Sequence, residues 1–345
     1  MKTIPVTEAV GLPLCHDMTA IRPITGKEVA FRRGHVLQAE DIPVLLSMGK
    51  TRVFVGELEA NQIHEEEAGL AGAQTLAGSR ITISGPSEGK FTLFSAGDGL
   101  FTIHREALRA LNGIPDYTAA TIPGNTPVRA GDVLAGVRIV PLFTHGENVS
   151  RVLALRETYG GPILSVRPFF PLRVGFVITG SEVYSGRIGD RFAPILGEKV
   201  GQFGGEVLGV HICPDDSAHI NRAIMDFLEQ GAELILFTGG MSVDPDDVTP
   251  TAIRQTGAEV IFQGVPLQPG NMLMLATLGA CTLIGVPGAA MHRKITALDV
   301  LLPRIFAGDY LDASDLRSLG EGGLCLDCQH CTYPACYFGR QMQGP

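Results

Sequence analysis

Four stretches of this sequence each follow an apolar run and combine glycine or proline with hydroxyl or carboxylate side chains. They are Thr179-Gly180-Ser181-Glu182, Pro214-Asp215-Asp216, Thr238-Gly239-Gly240-Met241-Ser242 and Gly285-Val286-Pro287-Gly288. Glycine lets main-chain N–H groups come close to an anion, and a helix N-terminus beside such a turn favours negative charge. The third stretch continues as Val243-Asp244-Pro245-Asp246-Asp247-Val248-Thr249-Pro250, with three carboxylates in four residues. Alone they would repel a phosphate; a hard divalent cation such as Mg²⁺ bridging acid and phosphate would reconcile them. The competing reading is that Asp247 or Thr249 caps a helix opening at Pro250, which would leave the other acids unexplained.

A second group with chemistry in it is Cys325-x2-Cys328-x2-Cys331-x4-Cys336, four of the chain's seven cysteines. The first three match the C-x2-C-x2-C run of bacterial ferredoxins, although the last gap is one residue longer than theirs. Three readings stand: an iron–sulfur cluster such as [4Fe–4S], a tetrahedral zinc site, or thiols that handle molybdenum, copper or redox change. The flanking segment offers almost no apolar core in which structural cysteines would hide, and His330 reads as a bystander. An apparent phosphate loop, Gly85-Pro-Ser-Glu-Gly89-Lys90-Phe91, is rejected. Its glycine spacing is one residue short, and Phe91 stands where a Mg²⁺-binding hydroxyl is required, so it reads as a hairpin turn.

The elements that would hold the first group alternate. Leu172–Ile178 reads as a strand, followed by a helical pattern through Phe192, Ile195, Leu196, Val200 and Phe203 that stops at Gly204-Gly205. Glu206–Ile212 is a strand, Ser217–Gln230 a helix, Leu234–Phe237 a strand, and a short helix begins near Pro250. Two strands flank Gly279, and a helix is expected from about Met291 to Phe306. Such alternation implies an α/β fold, a parallel sheet between two helical layers, whose ligands bind beyond the carboxyl ends of the strands. The expected organisation is a small N-terminal α+β region (1–67), a β-rich domain (68–166), the α/β domain (167–310) and a Cys-rich tail (311–345). In the first region Asp41–Met48 reads as a helix, and the acidic run His64-Glu65-Glu66-Glu67 as a solvated helix face in preference to a metal site.

The net charge of −9 with no basic tract argues against a nucleic-acid partner. Gly264–Met291 contains no charged residue, but Pro269-Gly270, Gly279, Gly285 and Pro287-Gly288 cut it to strand lengths, so no membrane span is expected. The opening residues carry no apolar stretch of signal-peptide length, and a cytoplasmic location is expected.

Taken together, Thr179-Gly-Ser-Glu182, Thr238-Gly-Gly240, Asp247-Val-Thr-Pro250, Pro269-Gly270 and Gly285-Val-Pro-Gly288 resemble the molybdopterin-binding fold in order and spacing. That family includes molybdopterin adenylyltransferases, molybdopterin molybdotransferases and gephyrin, and a subgroup of stand-alone proteins ending in a cysteine cluster. The resemblance implies binding of molybdopterin or the finished molybdenum cofactor, with Mg²⁺, in cofactor biosynthesis or maturation. The pterin would meet Thr179, Gly180, Ser181, Asp215, Thr238, Gly239, Gly240, Ser242, Asp246, Thr249, Pro269, Gly270, Gly285, Pro287 and Gly288. Glu182 and Asp247 would be catalytic, with Asp244 and Asp247 toward Mg²⁺. Implied partners are the pterin, a molybdenum-dependent recipient enzyme and further copies of the chain.

Three departures bear on catalysis. Ser181 stands where molybdotransferases usually have Asp in Gly-Asp-Glu. Gln268-Pro-Gly-Asn271 replaces Lys-Pro-Gly-Lys, and Gly285-Val-Pro-Gly-Ala-Ala290 replaces Gly-Leu-Pro-Gly-Asn-Pro. The lost lysines were point charges for phosphate or molybdate, and Arg293 or Lys294 could stand in only if the helix after Gly288 turns them inward. The alternatives are therefore a catalytic maturation factor, a non-catalytic carrier, store or redox-linked sensor, or a fold reassigned to another phosphorylated nucleotide or pterin.

Overall fold

A computed structural model describes residues 2–22, 26–56, 58–241 and 247–340. It divides into two compact units, one of residues 1–94, 103–122 and 133–165, the other of 95–102, 123–132 and 166–345. Among the described residues no helix is long and apolar enough to cross a membrane.

The first unit holds the helix Asp41–Ser47 and a four-stranded sheet ordered 81–87, 90–95, 133–139, 117–121. Its 81–87 and 90–95 strands are joined through Glu88 and Gly89, as the hairpin reading of that loop expects. The region expected to be β-rich also contains helices Arg105–Asn112 and Gly146–Thr158, and most of Glu65–Leu76. The acidic run is not simply a solvated face. His64 is buried and accepts the Glu66 N–H at 3.2 Å, capping helix Glu65–Leu76 from inside. Burial also pushes the Glu65 carboxyl above its ordinary range.

The second unit is the α/β domain. Its elements are β1 (Arg173–Thr179), α1 (Ser181–Tyr184), α2 (Phe192–Gly201), β2 (Glu206–Cys213), α3 (Ser217–Glu229) and β3 (Leu234–Thr238). They continue with α4 (Thr249–Gln255), β4 (Glu259–Gln263), β5 (Met274–Leu278), β6 (Cys281–Val286), α5 (Ala297–Phe306) and α6 (Ala313–Arg317). The sheet runs β2-β1-β3-β6-β5-β4, parallel through the first four strands and closed by the antiparallel β6-β5-β4 edge.

Period-two alternation makes the layers. Val174, Phe176, Ile178, Leu234, Leu236, Ile284 and Val286 point into one core with α2 and α5. Val177, Ile235, Phe237 and Leu283 point into the other, with Ile220, Ile224 and Phe227 of α3 and Ile253 of α4. Gly175 makes the second core possible, since a β-carbon there would stand 2.6 Å from the Phe227 ring.

Two boundaries differ from the sequence pattern. Strand β4 has no counterpart in that pattern, and the helix expected from Met291 opens instead at Ala297. Before it, Gly288–Met291 is a single 3₁₀ turn. Thr296 and Asp299 fix the start by a capping box, the Thr296 N–H donating to Asp299 Oδ2 at 2.7 Å. The tail, expected to lack a core, uses this one. Phe338 is buried in it, and Tyr333, Cys325 and Cys336 lie against it.

Candidate functional site

The carboxyl ends of β1 and β3 and the start of α4 hold one another by short polar contacts. Thr179 ends β1 almost fully buried, and its hydroxyl donates to the Thr238 carbonyl at 3.2 Å. The Thr249 hydroxyl donates to the Gly239 carbonyl at 3.0 Å and lies 3.3 Å from the Thr179 hydroxyl. Gly239, at φ +82°, sits so close to β1 that a β-carbon would stand 2.1 Å from the Thr179 carbonyl oxygen. Gly240, at φ +55°, is similarly closed off by the Thr249 and Thr179 hydroxyls. These glycines are required by close approach as much as by left-handed backbone. The Thr238 hydroxyl is fully buried and has no hydrogen-bond partner among the described residues.

The N-cap position of α4 is Val248, which makes no side-chain cap bond, and the Thr249 hydroxyl is spent on the Gly239 carbonyl. Asp247 stands on the wall of a cavity of about 390 Å³, bordered also by Gly239, Gly240, Gly270, Pro287 and Gly288. Phe192, Met241 and Met272 give it apolar sides. Gly270 holds φ +109° where a β-carbon would meet the Ala297 nitrogen at 2.8 Å, which pins that wall to the start of α5. Gly285 stands behind the cavity and leaves room for Met241, whose methyl would otherwise lie 2.2 Å from a β-carbon.

Other residues singled out in the sequence lie elsewhere. Glu182, in α1, is exposed and does not border this cavity. Gly180 donates its N–H to the Cys213 carbonyl at 3.2 Å. The Ser181 N–H and hydroxyl both donate to Asp215 Oδ2, at 2.8 and 3.0 Å, joining the ends of β1 and β2. This pairing accounts physically for Ser181, since an Asp there would face Asp215 with like charge and no proton to share. Pro269 borders a different cavity, described below. Ser242, Asp244 and Asp246 lie outside the described residues.

The borders of the 390 Å³ cavity carry no lysine, arginine or histidine among the described residues. Arg293 and Lys294 do not replace the missing pair. They precede α5 on irregular backbone and border the neighbouring cavity beside the cysteines. Asp247 is the one described carboxylate on the glycine-lined wall. Its donor type suits a hard divalent cation, which would be the main positive charge offered to an anionic ligand there.

The tail cysteines come together. Cys325, Cys328, Cys331 and Cys336 all border one cavity of about 710 Å³. Cys328 and Cys331 are exposed, the other two half-buried. Among the described residues, no group of three or more His, Cys, Asp or Glu side chains is set to hold a metal ion.

Comparison with known proteins finds a family model over part of the α/β domain. Residues 175–307 match the model of a family described as "Probable molybdopterin binding domain". Residues 3–57 match a second model, described only as a domain of unknown function. A molybdopterin molybdenumtransferase of Synechococcus elongatus is 29% identical over 178 residues, 48% of this chain and 44% of that protein. A CinA-like protein of Mycobacterium tuberculosis is 37% identical over 91 residues, 26% of this chain and 21% of that protein. The chain thus spans less than half the length of these relatives. Among solved structures, the molybdopterin biosynthesis enzyme MoaB of Thermus thermophilus aligns with 20% identity and a TM-score of 0.35, covering 40% of this chain and 98% of that one.

Proposed function

We propose that the α/β domain, most of which matches the model described as "Probable molybdopterin binding domain", holds a phosphorylated pterin in the glycine-lined cavity and serves in maturation of the molybdenum cofactor. The observation that carries this reading is the convergence of Gly239, Gly240, Asp247, Gly270, Pro287 and Gly288 on one cavity beyond the parallel strand ends. Ligands bind at that edge in open α/β sheets. In this reading the glycine N–H groups donate to the phosphate, and Phe192, Met241 and Met272 take the flat apolar faces of the pterin. Asp247 orients a Mg²⁺ ion, which when bound supplies the positive charge that the wall lacks.

For the finer activity we infer metal insertion coupled to release of AMP from adenylylated molybdopterin, with Glu182 brought to the ligand on binding. The absence of basic side chains from the described cavity wall favours a second reading, a carrier that binds the cofactor and passes it to an apo-enzyme without turnover. One experiment separates them. Full-length protein is mixed with adenylylated molybdopterin, Mg²⁺ and molybdate, and both AMP release and retained pterin are measured. The catalytic reading expects AMP well above a Glu182→Ala control. The carrier reading expects retained pterin with AMP equal to that control. Failure to retain any pterin removes both.

A further inference from the structure

The four-cysteine cavity is a built feature, not a loose end. The Cys325 N–H donates to the Gln268 carbonyl at 2.7 Å, and the Gln268 N–H donates to the Gly323 carbonyl at 2.7 Å, so the tail adds a short parallel bridge to the 268 segment. The Tyr337 hydroxyl donates to the Leu324 carbonyl at 2.8 Å, and the Arg340 guanidinium to the Cys336 carbonyl at 3.3 Å. Both ends of the cysteine run are therefore anchored, while Cys328 and Cys331 stand on its exposed middle. Between Cys325 and Cys328, Asp327 holds φ +54° and pairs with Arg293. Arg293 and Lys294 border the same cavity.

We propose that this cavity seats a [4Fe–4S]-type cluster on Cys325, Cys328, Cys331 and Cys336, and that the seated cluster braces the neighbouring wall of the pterin cavity. Spacing favours a cluster over zinc: Cys325-x2-Cys328-x2-Cys331 matches the ferredoxin run, and a cubane takes one thiolate at each of four irons, whereas a single zinc ion needs all four sulfurs at about 2.3 Å from one point. Four thiolates concentrate negative charge, and the cationic Arg293 and Lys294 border the same cavity. The brace follows from chain connectivity. Gln268, bridged to the tail, borders the cysteine cavity, and Gly270, two residues on, borders the glycine-lined one. Fixing the tail thereby fixes the segment that ends at Gly270.

The test uses the full chain purified without oxygen. Iron, sulfide and zinc are quantified per chain, and hydrogen exchange is compared across residues 266–272 in loaded and chelator-stripped protein. About four irons and four sulfides are expected, lost in a Cys328→Ser/Cys331→Ser variant whose circular dichroism is unchanged, since both side chains are exposed. Exchange across 266–272 is expected to slow several-fold on loading. One zinc per chain without iron, or no iron after reconstitution with iron and sulfide, overturns the cluster. Identical exchange in the two states overturns the brace. None of these readouts involves a pterin, so they stand or fall apart from the pterin reading.

Discussion

The tight meeting of β1 and β3 at Gly239 can be tested by adding a single methyl group. Gly239→Ala incurs two costs. Left-handed backbone costs an L-residue about 1–2 kcal/mol. Forcing a β-carbon to 2.1 Å from the Thr179 carbonyl oxygen adds overpacking of about 1–3 kcal/mol, because main chain cannot rotate away as a side chain can. Together they amount to about 2–5 kcal/mol. Gly257 supplies the control. It holds φ +83°, almost the same angle, but nothing lies within 4 Å of its β-carbon position. Gly257→Ala therefore carries the backbone cost alone, and any gain from a stiffer unfolded chain is common to both variants. The difference between them isolates the contact. The chain has no tryptophan, so urea unfolding is followed by far-ultraviolet circular dichroism. Gly239→Ala is expected to fall below Gly257→Ala by about 1–3 kcal/mol. Because Gly239 borders the cavity, pterin retention should also fall in that variant alone. Equal stabilities would refute the close approach of these strand ends, and with it the shape assigned to the cavity.

Two further outcomes follow from buried charge. Lys199 and Asp299 are about nine-tenths buried and paired, Lys199 also donating to the Lys294 carbonyl at 3.0 Å. Lys199→Met should cost about 3 kcal/mol, the low end for stranding a buried charge, because Asp299 keeps its bonds from Thr296. Adding Asp299→Asn should recover part of that loss, and a double variant as unstable as the sum of the singles would count against the pair. His64 accepts from the Glu66 N–H and from Arg33 at 3.0 Å, while its other nitrogen donates to the Cys15 carbonyl at 3.0 Å. Burial, and then the Arg33 charge, hold its pKa below the ordinary 6.5. Between the depressed value and 6.5 the unfolded chain binds the proton and the folded one does not, so stability rises with pH through that window and is lost as pH falls through it. His64→Asn keeps a capping acceptor and should flatten that decline in acid denaturation midpoints. His16, whose pKa is also lowered by burial, contributes to the remaining slope with the same sign, and Glu65, whose carboxyl burial raises, with the opposite sign. An unchanged slope would reject the neutral, buried His64.

What can be read in the sequence is what is local. Strand ends at Thr179 and Thr238 are legible because an apolar run stops at glycine, and helix α3 because Ile220 and Ile224 recur at helical spacing before Gly231. What fails is either weakly patterned or long-range. Strand β4 is a half-exposed edge whose run Glu259-Val-Ile-Phe-Gln263 shows no clean alternation. The helices at 105–112 and 146–158 begin after His104 and His145, residues that do not announce a cap. An early start for α5 comes from reading Met291–Lys294 as helical, although the Thr296-x-x-Asp299 spacing is available to place it later. That error matters for the site, because a helix from Met291 could have aimed Arg293 or Lys294 at the glycine-lined cavity, whereas the loop present sets both on the cysteine cavity and on a second one beside Lys199 and Asp299. The Ser181–Asp215 pair joins residues 34 apart in the chain, so the departure at Ser181 looks like a lost catalytic acid until the neighbouring strand end is in view. The same holds for Gln268 and Asn271. Their loss of charge is plain in the sequence, but that the segment they flank is bridged to the cysteine tail emerges only from the fold. Among the described residues the glycine-lined cavity has no basic side chain on its border, and the segment that reaches it at Gly270 is bridged at Gln268 to the cysteine tail.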